Sequence, residues 1–319
     1  MFVNKTFIDL FAGIGGFRQS LERKGATCVF SSEKNKYAAQ TYFDNYGDKP
    51  QGDITLIKSE DIPRHNILCA GFPCQPFSVS GKQRGFEDSR GTMFFEIIRI
   101  ANYHKPDILF LENVANLEKH KDNSTFNQMR DMLIEIGYNV YYKVLNASDY
   151  NVPQSRKRVY ILCFRNDLNI TEFKFPNKEE ASIFLEDILE DDSITSKYVI
   201  DRDDIKFKDK EFIDGIKKVN KPVRIGTINK GGQGDRIYSP KGHAITLSAE
   251  GGGSGSKTGA YLVNGKVRKL SPRECARVQG FPESFKITVS DSQAWKQFGN
   301  SVAIPVLDRI LDELLKVYR

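Results

Sequence analysis

The residues best suited to chemistry begin with Cys74, which lies in GFPCQPFS (71–78) between two prolines. Proline locks its own φ and restricts the residue before it, so Pro73 and Pro76 hold the backbone around the thiol close to one path. A cysteine that merely packs needs no such restraint, whereas a thiolate nucleophile must be aimed. Glu112, in FLENV, ends an apolar run, where a carboxylate loses hydration and holds its proton more tightly, as suits an acid working near neutral pH. QSRKR (154–158) sets Arg156 and Arg158 on one face of an entering strand with Lys157 opposite, a face able to meet an anionic or carbonyl-bearing substrate. Each has a blander alternative, a core thiol for Cys74 and a helix cap or surface position for Glu112, and only their joint occurrence outweighs it.

A ligand site accompanies them. FIDLFAGIGGF (7–17) reads as a strand running into a glycine turn and then a helix, a design that allows close backbone approach and presents a helix N-terminus to a nucleotide-like group. The next strand ends at Glu33, where a carboxylate accepts hydrogen bonds from ribose hydroxyls, and GDI (52–54) places Asp53 near the expected adenine end. NAD and S-adenosylmethionine both contain an adenosine, so these residues do not choose between them. The spacing GxGG rather than GxGxxG argues against NAD.

The elements that must position these groups alternate. β-rich runs at 6–11, 26–33, 65–71, 105–112, 139–145 and 158–164 are separated by helical patterns, among them Gly16 to Lys24 and Ser124 to Gly137. This predicts a doubly wound α/β sheet, with ligands beyond the carboxyl ends of its strands, where the motifs above fall. At 319 residues and 39% hydrophobic content the chain can bury one large domain and a smaller one. Five scattered cysteines without CxxC spacing argue against disulfides and zinc and point to a reducing cytoplasm. Four separated histidines suggest no metal site, and no leader or membrane span is expected. A formal charge of +6 agrees with a polyanionic partner without proving one.

From about residue 186 the alternation stops, and 226–265 holds eleven of the 25 glycines, in stretches such as KGGQGDRIYS (230–239) and EGGGSGSKTG (250–259). Apolar residues interleave with them at strand-like spacing, so glycine-rich loops on a small β scaffold fit better than a linker. The expected division is a catalytic domain at 1–185 completed by 272–319, and a recognition domain at 186–271. An amphipathic helix at 306–317 should return to the first domain.

Taken in order, FIDLFAGIGGF, GFPCQPFS, ENV, QSRKR, RECARVQGFP (273–282) and QFGNSV (297–302) resemble the signature motifs of the cytosine-C5 DNA methyltransferases over nearly the whole chain. The resemblance implies a Rossmann-like S-adenosylmethionine-dependent catalytic domain with a smaller, mainly β target recognition domain. It also implies a monomer acting on a flipped-out cytosine in a short GC-rich site of double-stranded DNA, in a restriction-modification system whose companion endonuclease it need not bind. Carried onto this sequence, Cys74 attacks C6, Glu112 engages N3 and the amine, Arg158 steadies O2 and Arg156 supports the cysteine. Cofactor contacts fall on Asp9, Phe11, Ala12, Gly13, Ile14, Gly15, Gly16, Glu33, Asp53, Ile54, Pro73, Asn300 and Ser301. DNA contacts fall on Ser80, Gln83, Arg90, Gln233, Arg236, Thr246 and Glu250, of which Gln233, Arg236 and Glu250 have the chemistry to read base edges. One departure stands out: members of the family often carry a large apolar or aromatic residue directly after the ribose-binding carboxylate, where this chain has Lys34. A transfer-RNA cytosine methyltransferase predicts a smaller, less glycine-rich recognition segment, and a catalytically dead DNA-binding module predicts loss of the cysteine, glutamate or arginines. An NAD oxidoreductase explains neither Cys74 nor QSRKR.

Overall fold

The computed structural model describes residues 1–73, 93–117, 124–180 and 182–318. Cys74, Ser80, Gln83 and Arg90 lie outside the described residues. The first half builds strands β1 (Thr6–Leu10), β2 (Thr27–Ser32), β3 (Ile67–Gly71), β4 (Ile108–Val114), β5 (Tyr138–Asn146) and β6 (Lys157–Arg165). Between them run helices α1 (Gly16–Arg23), α2 (Lys36–Tyr46), α3 (Met93–His104) and α4 (Ser124–Glu135). The strands form one sheet in the order β2-β1-β3-β4-β6-β5. The pairs β1–β2, β1–β3 and β3–β4 are parallel, whereas β6 runs antiparallel to both neighbours.

That single reversed strand matters for the site. Parallel strands deliver their carboxyl ends to one edge of the sheet, and an antiparallel neighbour delivers its beginning to the same edge. The register pairs Gly71 with Glu112, Glu112 with Tyr160, and Val114 with Arg158. The end of β4 and the start of β6 therefore meet, although 46 residues separate Glu112 from Arg158 in the chain.

Strand alternation divides the core between two faces. Phe7, Cys69, Phe110 and Leu162 pack with Phe17 and Leu21 of α1, while Ile8, Leu68, Leu109 and Ile161 pack with Ile97 of α3 and Met129 of α4. The C-terminal helix lies on the α1 face, burying Val306, Leu307, Ile310, Leu311 and Leu314. It begins at Ile304 rather than Val306, because Pro305 in its first turn has no N–H that a helix would need there.

The second half adds short helices α5 (Asp192–Thr195) and α6 (Lys210–Asp214) and five short strands: β7 (Lys206–Phe207), β8 (Arg224–Thr227), β9 (Arg236–Tyr238), β10 (Ala260–Val263) and β11 (Lys266–Arg268). They pair in the order β11-β10-β9-β8-β7 over a small core of Ile225, Ile228, Ile237, Ala260 and Val267. Helices α7 (Pro272–Gln279), α8 (Asp291–Asn300) and α9 (Ile304–Val317) close the chain. A third apolar cluster joins Tyr238, Leu247 and Tyr261 to Cys275, Val278 and Phe298, so packing runs continuously through the expected boundary at 271/272. Among the described residues no helix is long and apolar enough to cross a membrane.

Candidate active site

At the ligand end, the glycine turn is built from three glycines with different work. Gly13 sits at φ +56°, and a Cβ there would meet nothing closer than the Phe11 carbonyl oxygen at 4.0 Å. A Cβ on Gly15 would stand 2.4 Å from the Tyr46 ring, and one on Gly16 would stand 2.5 Å from Val302. Gly13 is thus the open position, while Gly15 and Gly16 let α2 and the segment before α9 pack against the turn. Tyr46 also donates its hydroxyl proton to the Gly15 carbonyl at 2.9 Å.

The strand-end carboxylate faces this turn. Gly13 N–H donates to Glu33 Oε2 at 2.8 Å and Asn35 N–H to Oε1 at 2.6 Å. Burial pushes the Glu33 carboxyl above its ordinary range, and these backbone donors pull it part of the way back. Asp53 accepts from Lys34 Nζ at 2.6 Å, from Thr55 N–H at 3.1 Å and from the Thr55 hydroxyl at 2.8 Å. The Lys34 ammonium, more than any other neighbour, holds the Asp53 carboxyl below its usual value.

At the other end, Glu112 is buried beside two arginines. Arg158 Nε stands 3.1 Å from Oε1, close enough for an ion pair but not aligned for a hydrogen bond, so Oε1 retains unused acceptor capacity. Burial raises the Glu112 carboxyl, and the charges of Arg158 and Arg156 oppose that rise. Asn113 ties the ends of β3 and β4 together by donating to the Phe72 carbonyl at 2.9 Å. Arg156 precedes β6 rather than lying in it. Its guanidinium is spent on backbone carbonyls, of Leu247 at 3.1 Å, Gly299 at 3.1 Å and Ser301 at 2.6 Å. Burial first, and then the like charge of Arg158, push it below the ordinary arginine range. Both arginines line the cavity, but with different partners: Arg158 faces Glu112, and Arg156 clamps two separate chain segments, at Leu247 and at Gly299 to Ser301.

One cavity of about 580 Å³ connects the two ends. Its wall includes Phe11, Gly13, Ile14, Glu33, Asp53, Ile54, Pro73, Glu112, Arg156, Arg158 and Asn300. Asp9, Ala12, Gly15, Gly16 and Ser301 stand off that wall. Asp9 follows the alternation of β1 onto the side of Phe7, under α1, where it is 1% exposed and burial raises its pKa far above the carboxylate range. Residues not singled out from the sequence also line the cavity, including Asn113, Gln293, Lys296 and Gln297. The last three fall with Asn300 at i, i+3, i+4 and i+7, one face of α8, so helical periodicity carried that signal.

The glycine-rich stretches of the second half pack on each other. A Cβ on Gly234 would lie 1.8 Å from the Gly252 carbonyl oxygen, Gly255 N–H donates to the Gly234 carbonyl at 2.8 Å, and Ser254 N–H donates to Asp235 at 2.8 Å. Gln233 and Glu250 are exposed, and Arg236 is half-buried at the start of β9. Thr246 donates its hydroxyl proton to the Ser155 carbonyl at 2.6 Å, so this hydroxyl is already committed to the segment that leads into β6. Leu247 is held there from both sides, its N–H by Gln154 at 3.0 Å and its carbonyl by Arg156.

A family model described as C-5 cytosine-specific DNA methylase matches residues 5–316. The Type II methyltransferase M.HhaI of Haemophilus parahaemolyticus is 56% identical over 304 residues, 95% of this chain and 92% of the relative. M.HpaII of Haemophilus parainfluenzae is 39% identical over 339 residues, 98% and 91% of the two chains. Among solved structures, the S. pombe Dnmt2 methyltransferase superposes with a TM-score of 0.73 at 21% identity, covering 98% of each chain, which shows a shared fold.

Proposed function

The chain belongs to the C-5 cytosine-specific DNA methylases, and from that premise we propose how its residues divide the reaction. The enzyme transfers a methyl group to C5 of cytosine in DNA, and its family depends on S-adenosylmethionine. The observation that carries the assignment of roles is the cavity itself, with acceptor carboxylates at one end and the Glu112–Arg158 pair at the other.

The first end suits the cofactor. Glu33 and Asp53 accept from hydroxyl and amine donors, Phe11 and Ile54 offer apolar surface, and Gly13 leaves open the space that a side chain would fill. Bound there, S-adenosylmethionine supplies an electrophilic methyl on a sulfonium. The second end suits the base. Glu112 donates or shares its proton at N3 of the cytosine and accepts from its exocyclic amine, Arg158 donates to O2, and together they disperse the charge that develops in the ring. Pro73 stands in the cavity wall directly before Cys74 in the chain. The Cys74 thiolate forms a bond to C6, C5 takes the methyl as the sulfonium's S–CH3 bond breaks and S-adenosylhomocysteine leaves, a base removes the C5 proton, and the C6–S bond breaks to return the thiolate. Since this face of the ring is covered in a duplex, the cytosine must leave the stack.

Arg156 acts here by position. By holding Leu247 it keeps the 246–250 segment against the start of β6, next to the base-facing arginine. Gln233, Arg236 and Glu250 read the flanking bases, with Ser80, Gln83 and Arg90 as further DNA contacts. The chain acts as a monomer on a short, GC-rich, double-stranded site, in the restriction-modification setting to which its Type II relatives belong.

DNA carrying 5-fluorocytosine at the target position tests this assignment, because fluorine cannot leave as a cation and the enzyme stays attached. A denaturation-resistant adduct is expected with duplex DNA and cofactor, absent with Cys74→Ser, and not formed on transfer RNA. An adduct that survives Cys74→Ser overturns the role of Cys74, and a preference for transfer RNA overturns the substrate.

A further inference from the structure

The segment that leads into β6 and the segment that leads into the second glycine-rich loop run side by side. Ala244 N–H donates to the Pro153 carbonyl at 2.8 Å and Ser155 N–H to the Ala244 carbonyl at 2.9 Å, a short parallel pairing. Three residues on, Leu247 is 1% exposed, and its N–H and carbonyl are taken by two side chains of the opposite segment, Gln154 and Arg156. A buried backbone donor must find a partner, and Gln154 supplies it. The Gln154 amide is directional: with Oε1 accepting from Leu247 N–H at 3.0 Å, Nε2 must donate, and it reaches Gln279 Oε1 at 3.3 Å and the Val278 carbonyl at 3.4 Å. Gln279 passes the direction on, donating from Nε2 at 2.7 Å to the carbonyl of Phe298, in the last turn of α8 where carbonyls lack intrahelical partners. Both glutamines are fully buried. The same segment rests directly on the end of α8, since a Cβ on Gly299 would lie 2.3 Å from the Ser248 carbonyl carbon.

We propose that Gln154 is a positioning residue for the reaction: through Leu247 it sets the register between the 246–250 segment and the start of β6. Arg158 lies four residues after Gln154 and Glu250 three after Leu247, so this bond ties a reading group to the reacting end across few rotatable bonds. Gln154 itself is buried and off the cavity wall, so it acts only through the segments it joins. The inference rests on the assignment of the Glu112–Arg158 end to the cytosine and of the recognition loops to the flanking bases. Without the bond the loops still hold DNA, but the extruded cytosine and the groups that must meet it are no longer held in one geometry. Misplacement of that kind slows chemistry without weakening binding.

The test uses the full chain at one salt concentration. Duplex affinity is measured by fluorescence anisotropy with S-adenosylhomocysteine present, and the methyl-transfer rate by single turnover at saturating enzyme. Gln154→Leu is expected to keep duplex affinity and base-pair preference within about twofold, while the rate falls about ten- to a hundredfold, the effect of a small misalignment. Gln154→Asn keeps the amide on a shorter stem and is expected to show the same split, which gives the answer if the leucine variant does not fold. Gln279→Met leaves the Leu247 bond in place and should slow the rate less than Gln154→Leu. A rate within about twofold of wild type in the folded Gln154 variants, or a parallel loss of rate and affinity, overturns the positioning role while leaving the site assignment standing. Gln279→Met as slow as Gln154→Leu also overturns it, because the bond to Leu247 is then not what matters. If the wild type transfers no methyl group to duplex DNA, the site assignment fails and the positioning role fails with it.

Discussion

Glu33 and Glu112 are the same residue type, both poorly hydrated, at the carboxyl ends of two parallel strands and on the wall of one cavity. They differ in what holds them. Each oxygen of Glu33 receives a backbone N–H, whereas Glu112 faces a guanidinium that approaches without forming an aligned hydrogen bond. Backbone donors cannot move away as a side chain can, so Glu33 is held in one orientation, as binding requires. A side-chain cation can shift as a ligand arrives, so Glu112 can exchange partners and carry a proton, as chemistry requires. Burial raises both carboxyls, and the kind of partner opposing that rise separates a binding group from a reacting one.

The largest expected effect lies at the reacting end. Glu112→Gln should lower the single-turnover rate by about 10²–10⁴-fold, the range for loss of a positioned acid, with cofactor affinity by calorimetry unchanged. Because burial raises the Glu112 carboxyl, its protonated form is lost as pH rises through that raised value. The wild-type rate should therefore carry a falling limb there, and the Gln variant should lack it. Equal loss of rate and affinity would erase the distinction between the two glutamates.

At the binding end the effect is smaller and falls on affinity. Glu33→Gln keeps the size but gives up charge-assisted hydrogen bonds, each worth about 1.5–3 kcal/mol. Cofactor binding should weaken by about ten- to a hundredfold, with the rate at saturating cofactor nearly retained. A collapse of the saturated rate would mean that Glu33 also shapes the reacting end.

The smallest effect on total turnover belongs to the recognition loops. Arg236→Ala should relax preference at one base pair and Glu250→Ala at another, each by about 1–3 kcal/mol of discrimination. Methylation of a duplex library at fixed salt measures this, since nonspecific affinity depends on salt. A uniform loss on every sequence would make these loops positioning elements alone.

Much of the fold was legible because its signals are local. Strand runs, the glycine turn, the stop of α4 before Gly137 and the amphipathic C-terminal helix depend on residues within a few positions of one another. What a local window does not carry is contact between distant segments. Arg156 and Arg158 share a strand face in the sequence, yet only Arg158 reaches Glu112, because Leu247, Gly299 and Ser301 converge on Arg156 from the second half of the chain. Across the expected boundary at 271/272, α7 and α8 share a cluster with Tyr238 and Tyr261.

By itself the sequence determined the family, the alternating α/β order, the strand-end placement of Glu33 and Glu112, and the glycine turn, since each is written in neighbouring residues. Only the tertiary structure decided which glycine opens on the cavity. That choice belongs to Tyr46 and Val302, which close over Gly15 and Gly16 and leave Gly13 uncovered. It likewise decided that Asp9 turns into the core and that Lys34 reaches Asp53. Side-chain direction at such positions is set by what packs against the segment from elsewhere in the chain, and that information is absent from any local window.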